Sequence, residues 1–250
     1  MNLFKKIYDK DQLTFAIVWI ILYVILMSSG DNISDKIGIE KIATVLIGIL
    51  LSLTLFLFFK RNNLLKTYGL CKPTVNSKTF LYYIPCIIFA TTNIWFGITI
   101  NYTPIETILY ITTMFCVGFL EEVIFRGLLF NAMKKDNLKI AILVSSLTFG
   151  IGHIVNLFNG SGAELIPSIL QVVYTTSAGF VFVMLYQKSN SLIVCILVHA
   201  IFNSFSAFAV KTNLLELRIL TASIITLITG GYAIYLSKLK TDILPPNSQI

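Results

Sequence analysis

The sequence predicts an all-α fold, a polytopic membrane bundle of about eight transmembrane helices. Three observations predict it. The 250 residues are 56% hydrophobic and only 12% charged, where a soluble domain carries about 25% charged residues. Long apolar runs recur along the chain, near the ~20 residues an α-helix needs to cross a bilayer. The basic residues lie between these runs, where they act as topology signals and not as a nucleic-acid patch.

The expected spans are Leu13–Met27, Ile42–Phe59, Phe80–Ile100, Ile105–Phe130, Ile140–Phe158, Ile166–Tyr186, Leu192–Val210 and Leu215–Leu236. The first is followed by "MSSGDNISDK", which has no small-residue cleavage site, so it reads as a helix and not as a signal peptide. Trp19, Trp95 and the tyrosines read as interface or packing residues. Between the second and third spans runs "KRNNLLKTYGLCKPTVNSK", a basic connection expected along the membrane surface. Pro85 and Pro167 mark kinks or helix starts. The fourth run is long for a simple span and is expected to tilt or project. Glu106 and Glu164 read as loop charges. Gly127, Gly150 and Gly152 read as close helix contacts. The four cysteines show no CxxC spacing, and no disulfide is expected.

With the N-terminus inside, 14 Lys and Arg residues fall in inside segments and 4 in outside loops. The positive-inside rule therefore puts both termini in the cytoplasm. Three N-x-[ST] matches, at Asn32, Asn101 and Asn159, fall on outside loops, and the tail "LPPNSQI" is expected to be disordered. The chain divides into 1–104, three helices with the basic loop; 105–210, helices four to seven; and 211–250, the eighth helix and tail.

The informative residues are the ionisable ones inside apolar runs, where a charge is costly and marks a functional candidate. They are Glu121, Glu122, Arg126, His153 and His199, and the two histidines are the only ones in the chain. Glu122 and Arg126 are i and i+4, so they share a helix face and pair. Glu121 lies about 100° around the helix and is left as a free carboxylate. His199 and Asn203 repeat the i, i+4 spacing, as do Phe149 and His153. At about 1.5 Å per residue from the nearest lysine of an inside loop, Glu121, His153 and His199 lie about 20, 21 and 17 Å deep, close to one layer. Singly, each histidine reads as a hydrogen-bonded core residue; jointly they read as one polar site. A carboxylate beside a histidine can activate water, and a second histidine with an amide can bind an oxyanion. That set suits hydrolysis of an amide bond. Glu121, His153 and His199 are equally candidate ligands of a divalent metal such as zinc.

The three motifs in order, "EEVIFRGLLF", "FGIGH" and "HAIFN", resemble the EExxxR, FxxxH and HxxxN motifs of the CPBP family of intramembrane proteases. That family includes the CAAX prenyl endopeptidases and bacterial proteins linked to bacteriocin self-immunity. "YGLCKP" resembles an element often found upstream, and the resemblance runs from Thr107 to Phe208. It implies a cytoplasm-facing cavity in which Glu121 and His153 activate water. It further implies that His199 and Asn203 bind the oxyanion and that Glu122 and Arg126 support the site. It admits either a glutamate or a metal mechanism.

The expectation is an intramembrane endopeptidase that cuts a peptide or protein substrate, with a role in bacteriocin processing or immunity. Its partners are that substrate and the lipid bilayer, without nucleic acid. The alternatives are a non-catalytic immunity or scaffold protein and a transporter or proton relay.

Overall fold

The structure, a computed structural model, describes residues 3–157, 164–210 and 214–240. Asn159 and the tail "LPPNSQI", singled out above, lie outside the described residues, as does Phe158 at the end of the fifth expected span. The described chain is helical, in the order α1 (Leu3–Lys10), α2 (Gln12–Ile37), α3 (Ile42–Arg61), α4 (Ile84–Thr91), α5 (Pro104–Met133), α6 (Leu138–Gly152), α7 (Leu165–Ser189), α8 (Ile193–Phe205) and α9 (Leu215–Lys238).

Local sequence sets the starts and stops. Asp11 caps α2, its carboxylate accepting from the Leu13 and Thr14 amides at 3.0 and 3.1 Å. Gly38 ends α2 in the left-handed conformation, which glycine adopts without a Cβ penalty. Thr103 and Glu106 form a reciprocal capping box at the start of α5, with Pro104 at its first position. The Asn137 side chain caps α6 by accepting from the Ile140 amide.

The membrane bundle is as expected, and the expected count of about eight is approximate. Among the described residues six helices, α2, α3, α5, α6 with the turn after it, α7 and α9, are long and apolar enough to cross a membrane. The expected spans Phe80–Ile100 and Leu192–Val210 are shorter and interrupted. Leu81, Tyr82 and Tyr83 take positive φ and break the first of these before α4, which has only 8 residues. The second ends α8 after 13 residues, followed by a short 3-10 turn at Ser206–Phe208. The two segments complete each other in extended backbone. The Thr99 amide donates to the Phe208 carbonyl at 2.8 Å, and Asn101 Nδ2 donates to the Ala207 and Ala209 carbonyls. Non-helical backbone at this depth is tolerable only when its polar groups are met inside the protein.

Side chains tie the helix ends into two opposite poles. At one pole Lys135 Nζ donates to Gln12, Lys188 Nζ donates to the Leu239 carbonyl, and the Leu192 amide donates to the Gly69 carbonyl. At the other, the Glu40 amide donates to Glu106, and Arg218 pairs with Glu164. The core near the first pole is aromatic: Tyr8, Phe15, Trp19, Phe59 and Tyr68 are buried against one another. The outer faces of the long helices carry exposed Ile21, Ile25, Leu46, Leu50, Ile105 and Leu227. So large an apolar surface needs an apolar surround, which a bilayer supplies.

Candidate active site

The segment Glu122–Phe130 of α5 is a π-helix, and every residue in it is buried. Such local widening is rare and is found mostly at functional sites. The α-helical spacing rule did not foresee it, although its main consequence survives. Glu122 and Arg126 are both fully buried and pair at 3.1 Å. The Arg126 guanidinium lies 3.9 Å from the centre of the Phe149 ring and 5.5 Å from that of Phe182, so aromatic faces supply part of the solvation that water would give.

His199 departs from expectation. Its Nδ1 donates to Glu122 Oε1 at 2.9 Å, and its Nε2 lies 3.5 Å from Glu121 Oε2. The imidazole thus bridges both glutamates, so Glu121 is not detached from the Glu122–Arg126 pair. Tyr23, on α2, donates to Glu121 Oε1 at 2.5 Å. Glu121 Oε2 is buried and accepts no hydrogen bond among the described residues. The sequence reading missed Tyr23 by grouping it with packing tyrosines. The available signal was a phenol in the middle of the apolar run Leu13–Met27, where a hydroxyl needs a partner.

His153 stands at the end of α6, where the chain tightens into a 3-10 turn over His153–Leu157. Its Nδ1 faces the Phe149 carbonyl at 2.9 Å. A carbonyl only accepts, so Nδ1 carries the proton and Nε2 of the neutral ring is left as an acceptor. Phe149 organises the cluster: its ring meets His153 and His199 edge to face, with centroids 5.2 and 5.7 Å away.

Close helix approach brings these side chains together. A Cβ at Gly118 would lie 3.0 Å from both the Ala200 amide nitrogen and the Ile196 carbonyl oxygen, so glycine there lets α5 lie against α8 and its His199. Gly150 does the same between α6 and α7, where a Cβ would collide with Thr176. Gly127 and Gly152, expected in the same role, lack such tight contacts.

Glu121 and His153 line one cavity of about 140 Å³, together with Tyr23, Phe149, Asp31 and Lys41. An apolar cavity of about that size holds one benzene-sized group; this one is lined by charged and polar side chains as well. Asn203 lies one turn beyond His199 on α8, half-buried and outside the cavity lining. The structure therefore brings together Glu121, Glu122, Arg126, Phe149, His153 and His199, and leaves Asn203 beside them.

Two expectations bear on this arrangement. Among the described residues no group of three His, Cys, Asp or Glu side chains is placed to hold a metal. His199 turns both nitrogens to carboxylates, while His153 turns one to a carbonyl and keeps Nε2 open. The second concerns the direction of the cavity, whose lining reaches Asp31, Lys41 and Thr44, at the pole opposite the lysine-rich loops.

Residues 101–205 match the family model described as Rce1-like, type II CAAX prenyl endopeptidase. The match supports the CPBP family. It covers the EExxxR, FxxxH and HxxxN residues of this chain, from Glu121 to Asn203, and the likeness suggests a membrane CAAX-type protease. Tyr23, Asp31 and Lys41 lie outside the matched CPBP region. No curated protein and no solved structure matched the chain significantly.

Proposed function

We propose that this chain is an intramembrane endopeptidase in which Glu121 is the general base for a water that attacks a peptide carbonyl. One observation carries the reading: Glu121 and His153, 32 residues apart in sequence and on different helices, face the same buried cavity. Tyr23 occupies Oε1 and leaves Oε2, the oxygen without a hydrogen bond, as the atom to take the proton. The acceptor Nε2 of His153 suits the second hydrogen of the same water. As the water oxygen bonds to the carbonyl carbon, negative charge moves to the carbonyl oxygen. His199 Nε2 stands beside that oxygen, and the Asn203 amide donates to it when substrate draws it in. The proton held by Glu121 then passes to the leaving nitrogen as the C–N bond breaks, giving a carboxylic acid and an amine, and Glu121 is again a carboxylate. Glu122 and Arg126 hold His199 in place and touch no reacting atom.

The test can be run before any substrate is named. New protein and peptide termini are mapped by mass spectrometry in cells carrying wild type or Glu121→Gln at equal membrane levels. Termini that vanish with Glu121→Gln support the reading, and identical termini sink it. The peptides found then serve as substrates for purified protein. There, a chelator is expected to leave cleavage unchanged, and a loss restored by zinc would replace the glutamate mechanism with a metal one.

A further inference from the structure

We propose that the cavity opens on the non-cytoplasmic side of the membrane, so that Glu121 meets a polypeptide segment presented on that side. The lining residues Asp31, Lys41 and Thr44 belong to the end of α2 and the start of α3. The neighbouring helix ends at this pole are the start of α5, at Glu106, and the turn after α6, at His153 and Val155. Basic residues are scarce here: Lys36, Lys41 and Arg218 among the described residues. Two of these sit against carboxylates, Lys41 at 2.8 Å from Asp31 and Arg218 at 3.2 Å from Glu164. The opposite pole carries Lys5, Lys6, Lys10, Lys60, Arg61, Lys66, Lys72, Lys78, Lys134, Lys135, Lys139, Lys188, Lys238 and Lys240. Membrane insertion keeps such loops in the cytoplasm.

A second observation is independent of charge. From the lysine-rich pole the way to Glu121 is filled. Phe15 and Trp19 precede Tyr23 on α2, and Ile124 and Leu128 follow Glu121 on α5; all four are buried. From the other pole the cavity itself is the way in. The cavity thus lies toward the lysine-poor pole, and the basic loops assign that pole its side. The substrate is then a peptide that has crossed the membrane, or the outward end of a membrane-anchored protein. This half rests on the protease reading; the sidedness does not.

Labelling with a membrane-impermeant maleimide separates the two. Cys71, half-buried in the lysine-rich connection, reports on the unmodified chain. Single added cysteines at exposed Lys72, exposed Asn32 and cavity-lining Ser28 complete the set. In intact cells, Asn32→Cys and Ser28→Cys are expected to label as fully as in permeabilised cells. Cys71 and Lys72→Cys are expected to gain about tenfold or more on permeabilisation, as residues on the positive side should. Labelling of Cys71 and Lys72→Cys in intact cells would overturn the assignment. So would a Ser28→Cys that stays unlabelled while Asn32→Cys reacts, because the cavity would then lack this entrance. If the labelling holds but Glu121-dependent termini map to cytoplasmic segments, the substrate assignment falls. If no such termini exist, the protease reading fails and the sidedness stands.

Discussion

Tyr23 donates its hydroxyl hydrogen to Glu121 across 98 residues of sequence, joining a helix outside the family-matched region to the first glutamate of EExxxR. The contact fixes one carboxylate oxygen and so determines which oxygen faces the reaction. A hydrogen bond to a charged group contributes about 1.5–3 kcal/mol. Tyr23→Phe is therefore expected to slow Glu121-dependent cleavage by about ten- to a hundredfold. The change should fall on kcat more than on KM, since the phenol orients the base and does not bind the peptide. Unchanged kcat would remove Tyr23 from the catalytic arrangement.

Arg126 is fully buried, and Glu122 is its carboxylate partner. Removing one member of a buried ion pair strands the other and costs about 3–5 kcal/mol. Arg126→Ala is expected to lower the unfolding midpoint in detergent strongly. The double change Glu122→Gln with Arg126→Met, which strands no charge, should recover much of that loss without restoring cleavage. Equal midpoints for the single and double variants would contradict the pairing.

Gly118→Ala adds one methyl group against the backbone of α8. The helices must separate by a few tenths of an ångström, and misplacement of a catalytic group by about 1 Å costs on the order of a hundredfold. The expectation is normal membrane level with cleavage reduced at least tenfold, judged against the same substitution at Gly231, where a Cβ meets open space. Full activity in Gly118→Ala would show that the α5–α8 contact does not set the site.

The hydrogen bonds from Thr14 and Leu13 hold the Asp11 carboxyl below its ordinary value of 3.8. A group whose pKa is depressed on folding contributes stability above its unfolded value and loses it as pH falls through the folded one. The difference in thermal midpoint between wild type and Asp11→Ala is expected to be full at pH 7 and to shrink below about pH 4. A difference that stays constant down to pH 2.5 would assign the effect to helix propensity instead of the cap.

Most of the fold class and half of the site geometry were legible in the sequence because both rest on local rules. Apolar length predicts crossing, and residue spacing predicts which charges share a face, so the buried Glu122–Arg126 pair was foreseen. The helix count was not, because strings of apolar residues look alike whether or not three tyrosine-region residues take positive φ. Nor was the link from His199 to both glutamates, because spacing on one helix says nothing about the rotation of another.

The sequence by itself determined that the chain belongs in a membrane, which polar side chains had to be buried there, and which pole carries the lysines. Burial cost and insertion electrostatics act on composition and are summed along the chain. The tertiary structure alone decided that Tyr23 bonds Glu121, that Asn203 stands outside the cavity lining, and that this lining reaches Asp31 and Lys41 at the lysine-poor pole. Those outcomes depend on how closely α5 can approach α8 at Gly118, and on a π-helical widening that turns Glu122 and Arg126 into a fully packed interior. Contacts of this kind form between segments far apart in sequence, and only the packed bundle sets their distances.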